Sequence, residues 1–440
     1  MRRNLLLIVL TLAPLGVAVR AQDMKVITGA TLINPAGAPL ANAVIVITGS
    51  RITQVGTAAT FKAPSNAETI DGRGKFVMPG LADMHNHLGD GGLQTKQNVV
   101  ANLARMLSVG VTTVFDPQLS EAEFTQLKAA AAADTSPNPR FFGTGPSITV
   151  EGDALSAGSF KPTTPAEAQA AVRKLKALNV DAIKIVRDDA RWASSRLLPL
   201  MNIDVLQAIV DEAHKQSLKV YVHSPQLSQA KDALRAGVDG LLHGIIDEPV
   251  DQEFLALVKR NSAVYVPTLG LFEDVADISA WAKRQAPYWD QLGLQPPAVY
   301  SAYTSGAGAK LFQSIFNNTA YTRDHLAVLR ANLKSVADAG VPIVMGTDSG
   351  FFGVFLGAAT QLELELMVDA GLKPVDVLRA ATINAARMIG QDKQLGSIEA
   401  GKHADLLILD ANPLDDIRAV RRIHRVMKGG VVYDPARLPR

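Results

Sequence analysis

With 440 residues, 48% of them hydrophobic and 20% charged, the chain has the composition of a folded globular protein, not of a disordered, collagenous or coiled-coil one. It has no cysteine, which excludes disulfides, thiolate zinc sites, a cysteine nucleophile and a lipid anchor on cysteine. Any metal site must therefore be built from His, Asp, Glu or a modified Lys.

Arg2 and Arg3 form a positive n-region and Leu5 to Val19 an apolar stretch, followed by small residues at Val19 and Ala21 around Arg20. This pattern predicts a signal peptide over residues 1–21, cleaved before Gln22, and an exported protein, periplasmic or secreted, by the general or the twin-arginine route. The stretch is short for a span of about 20 residues, so no membrane attachment is expected after cleavage. Cleavage removes Arg2, Arg3 and Arg20 and no acid, taking 44 basic residues to 41 against 42 acidic ones, a net charge of about −1. No basic footprint for nucleic acid remains.

Lys25–Ile33 and Ala43–Val55 alternate apolar and polar residues around Gly and Pro turns, which predicts short antiparallel strands. Near Phe76 the pattern changes to apolar runs separated by amphipathic helical stretches, the signature of βα units. The runs read as strands are Val77–Met84, Val111–Phe115, Arg140–Gly143, Ala182–Val186, Lys219–Val222, Gly240–Leu242, Ala263–Thr268 and Pro342–Met345. A helix is predicted over Asp204–Gln216, where Val205, Ile209 and Ala213 share one face. Gly396–Asp434 returns to short strands, at Asp405–Leu409, Arg425–Met427 and Val431–Tyr433.

The expected architecture is α/β: a (β/α)₈ TIM barrel over residues 77–390. A small β-sandwich domain is expected from the flanks, 22–76 and 391–440. A barrel alone needs roughly 250 residues, which leaves room for it. Leu271 to Tyr321 breaks the rhythm with nine aromatics, Phe272, Trp281, Tyr288, Trp289, Tyr300, Tyr303, Phe312, Phe316 and Tyr321. It reads as an insertion over the active site, partly packed on itself. The basic run Arg418–Arg425 reads as a solvated face.

His85-Asn86-His87 ends the first barrel strand, so both imidazoles point to one side. Alone, the pair is equally two hydrogen-bonded histidines. His223 follows the fifth run, His243 the sixth and Asp348 the eighth, all at the strand ends where barrel active sites form. Four histidines and an aspartate there suit a borderline cation such as Zn²⁺. Lys184 lies inside the apolar strand Ala182–Val186. An ammonium buried beside metal ions is costly, whereas a CO₂-derived carbamate on Lys184 could bridge two of them. The alternative is a lysine whose head reaches solvent at the rim. Asp116, Tyr221 and His325 are candidate substrate-binding residues, while His214, His403 and His424 read as structural.

The segment Met78-Pro79-Gly80-Leu81-Ala82-Asp83-Met84-His85-Asn86-His87 resembles the opening motif of the amidohydrolase superfamily, and Gly346-Thr347-Asp348 its strand-8 motif. Ala381–Arg387 and Gly396–Leu406 resemble its closing segments. The likeness runs from about Val26 to Val432. Lys184 points within that superfamily to members with two metals bridged by a carboxylated lysine, and the sequence resembles the Xaa-Pro dipeptidase (prolidase) and ochratoxinase-like group. Imidazolonepropionase is similar along the chain, but that family uses one metal and no such lysine. The resemblance implies one ion, the more buried, on His85, His87 and Asp348, another on His223 and His243, and Lys184 bridging. Arg187-Asp188-Asp189 stands where relatives commonly carry Gly-Gly, and Ser224-Pro225 where they often have Ala-Tyr.

The function expected is hydrolysis of an amide or peptide bond, in a dipeptide or N-acyl amino acid. A hydroxide bridging two divalent ions, expected as Zn²⁺, would attack, with Asp348 as base and then acid. Two alternatives stay open: a mononuclear cyclic-amide hydrolase or deaminase with a plain Lys184, and an inactive binding barrel. The partner expected is a small-molecule substrate, with a homo-oligomer left open.

Overall fold

The computed structural model describes residues 24–60, 64–89, 98–152, 158–292, 305–351 and 353–439. The signal peptide expected over residues 1–21 lies outside them. No helix among the described residues is long and apolar enough to cross a membrane.

Both flanks build one mixed sheet of eight strands: β1 (Met24–Leu32), β2 (Leu40–Thr48), β3 (Arg51–Thr57), β4 (Glu68–Asp71), β5 (Phe76–Pro79), β13 (Leu406–Leu409), β14 (Ile423–Lys428) and β15 (Val431–Tyr433). Its order is β15-β14-β13-β5-β1-β2-β3, with β4 also against β1. The expected pairing of the two chain ends is present. By hydrogen bonding these strands form a single sheet.

The middle of the chain is parallel. β6 (Leu81–Asp83), β7 (Val111–Asp116) and β8 (Arg140–Gly143) form one sheet, and β9 (Ala182–Val186), β10 (Lys219–His223), β11 (Gly240–Leu242) and β12 (Val264–Val266) another. Every residue of β7 is buried, as in a strand covered on both faces. Helices follow the strands, among them α2 (Glu121–Ala130), α3 (Pro165–Ala177) and α4 (Ile203–Lys215). Capping boxes at Ser120/Glu123 and Thr164/Glu167 satisfy the first backbone N–H groups of α2 and α3 and fix where each starts.

Two expectations need correction. The run Val77–Met84 is two strands: β5 pairs with β13 in the flanking sheet, and β6 pairs with β7. Gly80 joins them, and a methyl group there would overlap the Thr112 side chain. The eighth run, Pro342–Met345, forms no ladder. It contributes single backbone bonds, Tyr265 N–H to Pro342 O (3.1 Å), Val344 N–H to Tyr265 O (3.0 Å) and Met84 N–H to Met345 O (3.0 Å). Across the other gap, Asp181 N–H donates to Gly143 O (2.9 Å) and Ile148 N–H to Lys184 O (2.8 Å).

In the basic run, Arg418 and Arg422 are exposed as expected of a solvated face, and Arg421 departs from it. Arg421 is largely buried (18% exposed), pairs with Glu365 and lies 3.8 Å from the centre of the Tyr288 ring. Tyr288, half-buried against the core, accepts from Arg421 Nη2 (2.7 Å).

Candidate metal centre

β6 ends at Asp83, and the chain continues through Met84 to His85, Asn86 and His87. This segment is zipped to residues 347–349: Asp348 N–H donates to His85 O (2.7 Å) and His87 N–H to Ser349 O (2.7 Å). Asp83 anchors the arrangement from below, accepting from Thr347 N (3.1 Å), Thr347 Oγ1 (2.8 Å) and Thr360 Oγ1 (2.9 Å). Complete burial still pushes its carboxyl up to about 7.

The zipper sets three side chains against one another. His85 Nε2 and His87 Nε2 each lie 2.9 Å from Asp348 Oδ1, and the ligand atoms of the three residues are all within 4.8 Å of one another. His85 is 1% exposed, yet neither of its ring nitrogens makes an aligned hydrogen bond. The contact to Asp348 is close enough for an ion pair but misdirected for a hydrogen bond. Burial, the largest cause, pushes the His85 imidazole down to about 3, so it is a neutral lone-pair donor at pH 7. Burial alone would raise Asp348, but the two imidazoles beside it hold its carboxyl well below the usual range. Two imidazole nitrogens and an anionic oxygen converging, with His87 Nε2 hydrogen-bonded to Asp348 Oδ1 and His85 buried without an aligned bond, fit a divalent cation as ligands.

The other candidates adjoin this group. The His87, His85, His243 and His223 rings follow one another at 5.4, 4.8 and 4.2 Å between centres. Lys184, 3% exposed on β9, acts electrostatically on His85, His87 and His243. His243 Nδ1 is 2.8 Å from Thr268 Oγ1, and His223 Nε2 is 3.0 Å from Asp188 Oδ2. His243 (φ 80°), Thr268 (φ 46°) and Asp348 (φ 62°) all have left-handed backbones. Such residues cost about 1–3 kcal/mol each and cluster where a site fixes side-chain direction.

A family model, that of the amidohydrolase family, matches residues 76–433. The chain belongs to the amidohydrolase family. This amidohydrolase is 27% identical over 227 residues to ochratoxinase of Aspergillus niger, covering 50% of this chain and 39% of that one. It is 37% identical over 110 residues to imidazolonepropionase of Shouchella clausii (strain KSM-K16), covering 23% and 24%. These alignments thus span well under two thirds of either relative. Among solved structures it resembles a putative prolidase from Bifidobacterium longum, with TM-score 0.76 and 29% identity over 93% of this chain and 94% of the other. A Xaa-Pro dipeptidase with bound methionine shares the fold at TM-score 0.75 and 24% identity, over 93% and 100% of the two chains.

Rings from three separate regions surround the amidohydrolase's candidate ligands. His87 adjoins Phe351 (6.4 Å), Phe351 adjoins Phe316 (5.8 Å), and Phe316 adjoins Trp192 (6.3 Å). Trp192 meets Phe272 edge-on at 5.0 Å, and Phe272 meets His243 at 6.2 Å. The circuit closes through His85. Phe272 lies on α7 (Leu269–Ala276), and Phe316 follows the helix Gly306–Ile315, so the aromatic insertion does supply rings to the centre. Trp281 is buried and donates to Gly353 O (3.0 Å). Tyr300, Tyr303 and the Trp289 side chain lie outside the described residues.

Of the three expected substrate-binding residues, Asp116 lies near enough to His87 to act on it electrostatically, while Tyr221 and His325 are engaged elsewhere. Tyr221 is 1% exposed, donates to Met388 O (2.5 Å) and packs edge-on against Phe115, one layer below His223. It is a core residue. Asp116, pushed up to about 7 by burial, accepts from the N–H groups of Leu88 (2.7 Å) and Gln118 (2.9 Å) and so braces the turn after His87. His325 stacks on Tyr321 at 4.1 Å with Nδ1 2.7 Å from the Tyr321 carbonyl, engaged with its own helix.

Proposed function

We propose that the chain is a metal-dependent hydrolase of amide or peptide bonds with a binuclear centre, held by His85, His87 and Asp348 on one side and His223 and His243 on the other. Lys184, as its carbamate, would bridge them. The observation that carries this reading is the convergence of His85 Nε2, His87 Nε2 and Asp348 Oδ1, with the buried Lys184 near enough to act electrostatically on both imidazoles. When bound, divalent ions, Zn²⁺ by the donor set, supply Lewis-acid polarisation of water and of the scissile carbonyl. Asp348 is the proton acceptor beside them and the donor to the leaving amine. Lys184 becomes the carbamate when its neutral amine attacks CO₂ and releases a proton.

The scaffold proposed is a (β/α)₈ barrel, its two parallel sheets joined at both gaps by the backbone bonds of Ile148 and of Pro342–Met345. The flanking sheet would be the small β domain, curled until Ser50 and Ile52 of its β2–β3 edge bond to Ala404 and Lys402 before β13. An exported protein, periplasmic or secreted, remains the proposal for its location.

The substrate class proposed is a dipeptide or N-acyl amino acid, prolidase- or ochratoxinase-like. An apolar group beside the scissile bond would rest in the circuit of Phe272, Phe316, Trp192 and Phe351, which also excludes water. A mononuclear reading draws on the compactness of the three-residue group, which His223 and His243 do not join. Elemental analysis of active enzyme, with a screen of dipeptides and N-acyl amino acids, separates the two. Two ions per chain and turnover of apolar members are expected. One ion in fully active enzyme removes the binuclear centre, and a screen without turnover removes the substrate class.

A further inference from the structure

We propose that Asp188 is a positioning residue that holds His223 and Trp192 together, so that one carboxylate sets both the second ion site and the aromatic wall. The proposal rests on the binuclear reading, in which His223 holds an ion.

Asp188 follows β9, four positions after Lys184, and its side chain is 4% exposed. Its Oδ2 accepts from His223 Nε2 (3.0 Å) and from Trp192 Nε1 (2.7 Å). Its Oδ1 accepts from Ala190 N–H (2.9 Å) and Gln226 Nε2 (2.8 Å). An indole N–H, a backbone N–H and an amide NH₂ only donate, so both oxygens are occupied and the carboxylate cannot turn. The ring nitrogen facing such an acceptor carries the proton, which leaves His223 Nδ1 as the lone pair. On the neighbouring ring the engaged atom is the other one: His243 Nδ1 meets Thr268, leaving Nε2. The two rings stand 4.2 Å apart and nearly perpendicular, at 68°.

Trp192 gives the carboxylate its second role. Its indole is 4% exposed, meets Phe272 and Phe316, and is anchored at Nε1 by the same oxygen that engages His223. A purely structural Asp188 would anchor its loop through Ala190 and Gln226 and leave ion affinity untouched.

The test compares Asp188→Ala, Asp188→Asn, Trp192→Phe and His223→Ala by zinc content, zinc affinity in chelator competition, and kcat and KM on apolar and small polar dipeptides. His223→Ala should lose one of two ions. Asp188→Ala should bind that ion about 10–100-fold more weakly and raise KM for apolar substrates. Asp188→Asn keeps the volume and a neutral acceptor, so it should recover part of the affinity, staying about fivefold below wild type. It carries the test if the alanine variant does not fold. Trp192→Phe should keep both ions and raise KM for apolar substrates alone. Wild-type zinc affinity in a folded Asp188→Ala, or in Asp188→Asn where alanine fails, overturns the proposal while His223→Ala still loses an ion. Two ions retained by His223→Ala overturns the binuclear reading, and this proposal with it.

Discussion

Two side chains carry sharp expectations for the chemistry. Lys184→Ala should lose activity and at least one ion, and Lys184→Arg should not restore either, because a guanidinium stays cationic and forms no carbamate. Elemental analysis and turnover check this, and full activity in the alanine variant would end the bridging role. Asp348→Asn keeps the shape but not the proton acceptor, so kcat should fall by roughly 10²–10⁴. Near-normal kcat would mean another group is the base. That these six side chains lie near one another is legible because each stands within or at the end of an apolar run, where strand geometry dictates direction. Alternation tells which face a side chain takes, not how deep along the strand it lies, and Tyr221, on the face of His223, is buried a layer below it. Asp188 and Thr268 were not legible, since their part depends on which ring nitrogen they meet in space.

At the level of elements, the site depends on the close packing of 347–350 against 85–87. Gly350 has φ 98°, and a methyl group on it would overlap the His87 carbonyl. Gly350→Ala should destabilise the fold by about 1–3 kcal/mol and weaken ion binding, read by thermal unfolding and zinc titration. Unchanged values for both would show that the zipper gives way easily. In the insertion, Phe316→Ala opens the circuit between Phe351 and Trp192. Removing the ring face on which an apolar substrate group would rest, a contact of about 0.5–1.5 kcal/mol, should cut kcat/KM for apolar substrates by up to about tenfold and spare small polar ones. Equal loss for both classes would make Phe316 a folding residue only. The strands were legible where an apolar run belonged to one sheet. Val77–Met84 was not, because β5 and β6 are equally apolar and only the crowding of Gly80 against Thr112 marks the change of sheet. Pro342–Met345 is similarly apolar, yet forms isolated bonds in place of a ladder.

For the molecule as a whole, bound ions should stabilise by mass action: at a free concentration a thousandfold above Kd, about 4 kcal/mol per site. Stripping with a chelator should therefore lower Tm, and zinc should restore it in a concentration-dependent way. A Tm indifferent to both would mean that the ligands hold no ion in the folded state. The pairing of the two chain ends was visible in their alternating patterns, but whether they formed one sheet or two was not, because alternation is the same in either. The joint at Gly80 reaches further than its size suggests. Pro79 is paired to Leu406, and only six positions on stands His85. A parallel-stranded body with an appended sheet invites the idea of modules that can be shed, exchanged or hinged. Here the sheet and the first two candidate ligands are consecutive turns of the same thread. Trimming either terminus to isolate the catalytic part would leave the start of that thread untied, so the flanks are part of the instrument and not its handle.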